Sequence, residues 1–230
     1  MLARVYSCAV VGLEGVIVEV EVDYTNGLPA VIIVGLPDAA VQESRERVQT
    51  AVKNAGLHFP RHRIVVNLSP ASIRKEGPAY DLPIALGVVI LAGFLPHETI
   101  EGAVVVGELS LDGVVRHTRG VLPMAAAARA NGFKRMFVPE ADAPEAALIP
   151  DLEVYPVKSL AHLYDHLAGR RLIEPYRPSG ADSPEPLFTP TDFAEIKGQE
   201  HVKRALEVAA AGGHNCLMLR PINHQQVLAH

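Results

Sequence analysis

Between Glu14 and Tyr24 the chain alternates without a break. Val16, Val18, Val20 and Val22 fall on one parity, and Ile17, Glu19, Glu21 and Asp23 on the other. A period of two with carboxylates on one side specifies a half-buried strand with one wet face. That commits the chain to a sheet from its first residues. Ala3 to Val11 reads as the partner strand, with Gly12 to Gly15 as the turn. Thr25-Asn26-Gly27 breaks the pattern, and Ala30 to Gly35 is a short apolar strand. Three neighbouring strands in sequence point to an antiparallel start.

The pattern then changes period. Asp38 caps a predicted helix carrying Val41, Val48, Ala51 and Val52 as its stripe, and Gly56 closes it. Glu43, Arg45, Glu46 and Arg47 read as a solvated face of that helix. Arg63 to Leu68 is a strand, and the loop SPASIRKEGPAYD leads to an apolar helix from about Leu82 to Gly93. AVVVGEL and LDGVVR form a hairpin around Leu111-Asp112-Gly113. Further βα units follow: a helix over Gly120 to Ala130, the strand MFVP, a short helix over Ala143 to Leu148, the strand LEVYPV, and a helix from the cap Ser159 through Leu167. After Arg171 a Pro-, Ser- and Gly-rich stretch reads as a linker, ordered at most in an oligomer. Beyond it, Asp192 opens another helical pattern, and HNCLML reads as a buried strand.

With 49% hydrophobic and 20% charged residues, the chain can build a core, and its 5% aromatic content leaves that core to Val, Ile, Leu and Ala. A net charge of −5 argues against a strongly basic nucleic-acid module while leaving room for a local basic face. Two cysteines, Cys8 and Cys216, argue against a disulfide scaffold or a cysteine zinc cluster. The apolar run Leu82 to Leu95 is shorter than the roughly 20 residues of a membrane span. A cytoplasmic protein without membrane contact is expected. Of the histidines, His162 and His166 share a helix face, but no further ligand follows at zinc spacing, so a solvated face is expected.

The loop before the apolar helix is the most informative stretch. Gly77 and Pro78 force a turn, and Asp81 stands where a carboxylate caps free N–H groups. KEGPAYD resembles the loop of Lon-type proteases in which a serine follows Gly-Pro, and VVVGELSLDGVVRHTRGVLPMAAAARANGFKRMFVPEADA resembles their companion segment with a lysine base. Here the serine position holds Ala79 and the lysine position falls near Leu122, so no Ser-Lys dyad is possible. GLPDAAVQESRERVQTAVKNAG, VNLSPASIRKEGPAYDLPIALGV, VVGELSLDGVVR and DFAEIKGQEHVKRALEVAAAGGHN together resemble the magnesium-chelatase-like AAA family of ComM and YifB, up to Asn215.

The resemblance implies an α+β domain like the Lon protease C-terminal fold (ribosomal protein S-five domain-two-like). It covers residues 1–171, followed by a linker over 172–191 and the start of an AAA module over 192–230. It further implies a DNA-processing role, as in branch migration during natural transformation, a hexameric homo-oligomer, and ATP with magnesium as the full-length relatives' cofactors. In this chain LRPINHQQVLAH stands where the phosphate loop G-x-x-x-x-G-K-[ST] is expected, without its glycines and lysine. No nucleotide site, metal site or catalytic residue is therefore expected, and an ATPase module cut short is the favoured account over a deliberately short form. The magnesium-chelatase label describes AAA kinship and implies no tetrapyrrole site. Candidate DNA contacts are Arg61, Arg63, Arg74, Lys75, Arg116 and Arg119, in small clusters with no aromatic residue interleaved for stacking. The alternatives are a divergent serine hydrolase using Ser69 or Ser72, and a stand-alone oligomerisation module.

Overall fold

A computed structural model describes residues 2–178 and 196–218. The chain divides into two units, Met1–Ala181 and Asp182–His230. In the first, β1 (Ala3–Val11) and β2 (Glu14–Thr25) form an antiparallel hairpin, with Val5 opposite Val20. β2 pairs on its other side with β4 (Arg63–Ser69), and β3 (Ala30–Val34) lies beyond β4, parallel to it. β5 (Ala103–Val105) adds to β1 in parallel at Tyr6 and Val104, then come β8 (Arg135–Pro139) and β9 (Glu153–Val157). The order is β3-β4-β2-β1-β5-β8-β9, with β6 (Glu108–Leu109) and β7 (Val115–Arg116) as a separate small hairpin.

β3 thus does not continue the opening meander. α1 (Ala39–Asn54) carries the chain from β3 across to β4, and a helical crossover returns a strand parallel to the first. α2 (Asp81–Leu91), α3 (Val121–Ala130) and α4 (Ala143–Ala146) make the same kind of connection on to β5, β8 and β9. Only β2 runs against its neighbours, and the α+β expectation resolves into a mixed α/β domain with a mostly parallel sheet.

The valine parity of β2 does what its pattern requires. Val18, Val20 and Val22 are fully buried, joining Ile64, Val66 and Leu68 of β4 against Val41, Val48 and Val52 of α1 and against α2. Each such side chain removed from water contributes about 1.5–3 kcal/mol. Every residue of α2 is buried, so an apolar helix with no polar face takes the centre of this layer, joined by Leu160 and Leu163 of α5 (Leu160–Leu167). The opposite face holds a second core, in which α3 and α4 cover Cys8, Val104, Met136 and Val154. The wet parity of β2 keeps its carboxylates paired, Glu19 with Arg4 at 3.2 Å and Glu21 with Asn67 at 2.8 Å.

The packed domain continues past Arg171. Ile173 is buried, and the Tyr176 N–H donates to the Val154 carbonyl at 2.7 Å. These residues leave the expected linker for the first unit, and the part of the linker from 179 onward lies outside the described residues. In the second unit, α6 (Glu200–Gly212) forms the expected helix. Residues 214–218 form no strand, and Leu217 and Met218 are exposed, contrary to the buried strand expected for HNCLML. The sheet that would bury those side chains is not among the described residues, and the rest of the segment, 219–230, lies outside them.

Candidate functional site

The loop after β4 is fastened to the start of α1. The Lys75 N–H donates to the Leu36 carbonyl at 3.1 Å, and the Asp38 N–H to the Lys75 carbonyl at 3.0 Å. Asp38 then divides its carboxylate, one oxygen capping α1 at the Val41 N–H (2.8 Å) and the other taking the Gly77 N–H (3.1 Å). Gly77 has φ +77°, a conformation that favours glycine, and the chain turns there into Pro78, Ala79 and Tyr80. Ala79 and Leu82 both bond to the backbone of Gly107, at 2.9 and 3.0 Å. The loop is therefore set by backbone bonds at both ends.

Two expectations are corrected here. Asp81 does not cap α2; it is the first residue of that helix and is wholly buried. Its carboxylate accepts from the Ser44 hydroxyl, from Arg47 Nε at 2.6 Å and Nη2 at 3.1 Å, and from the Leu109 N–H at 3.2 Å. One buried charge thus joins α1, α2 and the β6–β7 hairpin, and Arg47 leaves the solvated face to meet it, its pKa raised chiefly by that bond. Lys75, a candidate DNA contact, is fully buried with its ammonium on the Pro70 carbonyl, and burial lowers its pKa. It offers no charge to a ligand at the surface.

A cleft of about 400 Å³ opens where the C-terminal half of β1 faces this loop. Cys8, Val10 and Met124 lie on its apolar side, the turn from Gly77 to Tyr80 forms a wall, and Arg74, His117 and Arg119 stand on the rim. Carboxylates are interleaved with those cations: Glu76 is 3.6 Å from Arg74, and Glu108 lies 4.0 Å from Arg116. His117 Nδ1 is bonded to the buried Asp142, which also takes the Thr118 N–H at 2.8 Å. No serine or lysine lines the cleft. Burial pushes the Cys8 thiol up to about 12, so it stays protonated at neutral pH and is no nucleophile. Ser69 is half-buried in β4 and Ser72 is exposed, both away from the cleft lining, and Leu122 offers only an aliphatic side chain.

The basic candidates fall into two groups. Arg74, Arg116 and Arg119 gather around the cleft, at the C-terminal ends of β1 and β4. Arg61 and Arg63, both exposed, stand at the start of β4, and the length of that seven-residue strand, about 20 Å, separates them from the other group. The histidine pair also differs from its expectation. His166 packs against the edge of the stacked Phe137 and Tyr155 rings, centroids at 5.6 and 5.3 Å, and its Nδ1 accepts the Ile173 N–H at 2.9 Å. Burial is the main cause lowering both His162 and His166, with Arg171 and Arg135 respectively adding to it.

Among the described residues no cluster of three His, Cys, Asp or Glu is placed to hold a metal ion, and no helix is long and apolar enough to cross a membrane. Residues 214–218 are exposed and form no helix or strand, and the sequence that follows lacks the glycines and lysine that cradle phosphates.

Comparison with known proteins gives two matches to family models: subunit ChlI of Mg-chelatase over residues 20–142, and magnesium chelatase, subunit ChlI, over residues 192–224. An uncharacterized protein of Mycobacterium tuberculosis is 43% identical over 220 residues. The uncharacterized protein YifB of Salmonella typhimurium and the competence protein ComM of Haemophilus influenzae are each 37% identical, over 220 and 223 residues. All three alignments cover 96% of this chain, which spans 43% of the length of those relatives. A weaker similarity, 28% over 126 residues, links 54% of the chain to 22% of Lon protease 2 of Bacillus subtilis.

Proposed function

The chain belongs to the family of subunit ChlI of Mg-chelatase, and from that premise we propose that it is the non-catalytic N-terminal domain of a ComM- and YifB-like ATPase, serving DNA processing. The observation that carries this reading is the continuous similarity to ComM through both units of the chain. The domain works by binding. Ala79 and Leu122 replace the serine nucleophile and the lysine base of a Lon-type dyad, and a methyl group or an alkyl chain does neither task. Its fold is the Lon-like one, as the similarity to Lon protease 2 supports. Helix faces pack it into a homo-oligomeric ring, hexameric as in the full-length relatives. Arg61, Arg63, Arg74, Arg116 and Arg119 supply the cations that meet DNA. Residues 213–230 lack the glycines and lysine of a phosphate loop and so supply no nucleotide contact of that kind.

The test is DNA binding by this chain across a salt series. Exposed arginines on phosphates predict an affinity that falls linearly on a log–log plot, by roughly 0.9 per phosphate neutralised on duplex DNA. Undetectable binding at low salt, with none gained by forced oligomerisation, would remove the DNA part of the reading.

A further inference from the structure

Three hollows of about 310, 360 and 290 Å³ meet around the segment 57–62, at the start of β4. Pro60 lines all three, and neighbouring hollows share Phe59 and then His58 with Arg61, so they form one trough. Lys53 and Arg61 stand along it, Arg63 is adjacent in the chain, and none of these makes an ion pair among the described residues. The only carboxylate on the lining is Glu46, 3.7 Å from Arg45. On a chain of net charge −5 this is a cationic strip of unusual purity, unlike the cleft rim with its interleaved Glu76 and Glu108.

The strip also has aromatic walls that no local stretch of sequence contains. Tyr24, from the end of β2, lies against the His62 ring with centroids 4.7 Å apart, and its hydroxyl donates to the Leu91 carbonyl at 3.3 Å. Phe94, three residues past α2, is 37% exposed and lines the same hollow as Tyr24, Arg61 and His62. Rings with accessible faces beside unpaired cations make the combination that holds unpaired bases by stacking and their phosphates by charge. A duplex would meet the same cations but keeps its base faces hidden. An acidic peptide would gain nothing from the rings.

We propose that this trough is a binding site for single-stranded nucleic acid. A base enters the hollow between Phe94 and His62, while its phosphates follow Arg61, Arg63 and Lys53. The proposal rests on the DNA reading above and names the strand form and the residues.

Fluorescence anisotropy of the full chain with a labelled oligothymidine of about 16 nucleotides tests it, with the matching duplex and polyglutamate as competitors. The expected result is single-strand preference. Phe94→Ala should weaken binding roughly tenfold with an unchanged salt slope, and Phe94→Trp should retain it. Arg61→Ala with Arg63→Ala should lower the slope by roughly 1.4, while Arg129→Ala, which removes a partly exposed cation paired with Asp151, changes neither quantity. Binding lost in Arg74→Ala with Arg119→Ala, at the cleft rim, while Phe94→Ala is silent, would overturn this site and leave the DNA reading standing. Duplex or polyglutamate competing as well as the single strand would overturn it too. Binding to no nucleic acid would overturn both readings.

Discussion

A carboxylate with no exposed surface has to be satisfied by protein atoms, and Asp81 draws its partners from three elements: Ser44 and Arg47 of α1 and the Leu109 N–H of the hairpin. Removing it leaves the Arg47 guanidinium and the Ser44 hydroxyl largely enclosed without their acceptor. Asp81→Ala should therefore cost about 3–5 kcal/mol of unfolding free energy in a denaturant titration. Glu43→Ala, which removes only the exposed partner 3.6 Å from Arg47, should cost less than about 1 kcal/mol. Sequence made Asp81 visible as a carboxylate at a helix start. It hid the partner, because Arg47 sits four residues from Glu43 and a local pair suffices to explain it. Ala79 makes the opposite case, a residue whose chemistry was fully legible. Ala79→Ser should give no adduct with a serine-reactive phosphonate, since no lysine lines the cleft, Lys75 is committed to the Pro70 carbonyl, and the imidazole there, His117, is drawn to Asp142. Labelling of that variant would show that some other base reaches the hydroxyl.

At the scale of elements, α5 shows how a face can be read correctly and aimed wrongly. The four-residue spacing did put His162 and His166 on one side, but the Leu160 and Leu163 stripe that packs the helix draws His166 in among Phe137 and Tyr155. His166 must be unprotonated at Nδ1 to accept from Ile173, and both imidazoles are held below their ordinary pKa, mainly by burial. The unfolded chain protonates near pH 6.5 and the folded one only at lower pH. Stability is therefore complete above the unfolded value and declines as pH falls from about 6.5 through the folded values. Chemical unfolding between neutral and mildly acidic pH should show that decline. His162→Gln with His166→Gln, which keeps an acceptor and removes the titration, should flatten it. An equally steep decline in the double variant would place the acid sensitivity elsewhere.

For the whole molecule, what sequence conveys is whatever is written within one element. The valine parity of β2, the Asp38 cap and the Ser159 cap all specify their own segments, and each occurs as read. Strand order is a different kind of information. Nothing within Ala30–Val34 says that it will pair with β4 rather than β2, because the helical crossover that decides it lies outside the strand. The aromatic walls of the trough escaped for the same reason, Tyr24 and Phe94 being distant in sequence from Arg61. Where the domain ends belongs to this class as well. Composition changes at Arg171, yet Ile173 is 6% exposed in the main core and Tyr176 bonds to β9, so packing carries the boundary beyond the change in composition. A fragment ending at Pro178 should then unfold with the stability of the first unit in the full chain. One ending at Arg171 should lose about 2–5 kcal/mol, the cost of emptying a buried isoleucine site. Ile173→Ala in the longer fragment should reproduce most of that loss. Equal midpoints for the two fragments would mean that residues 172–178 contribute nothing to the core, and the boundary would move back to Arg171.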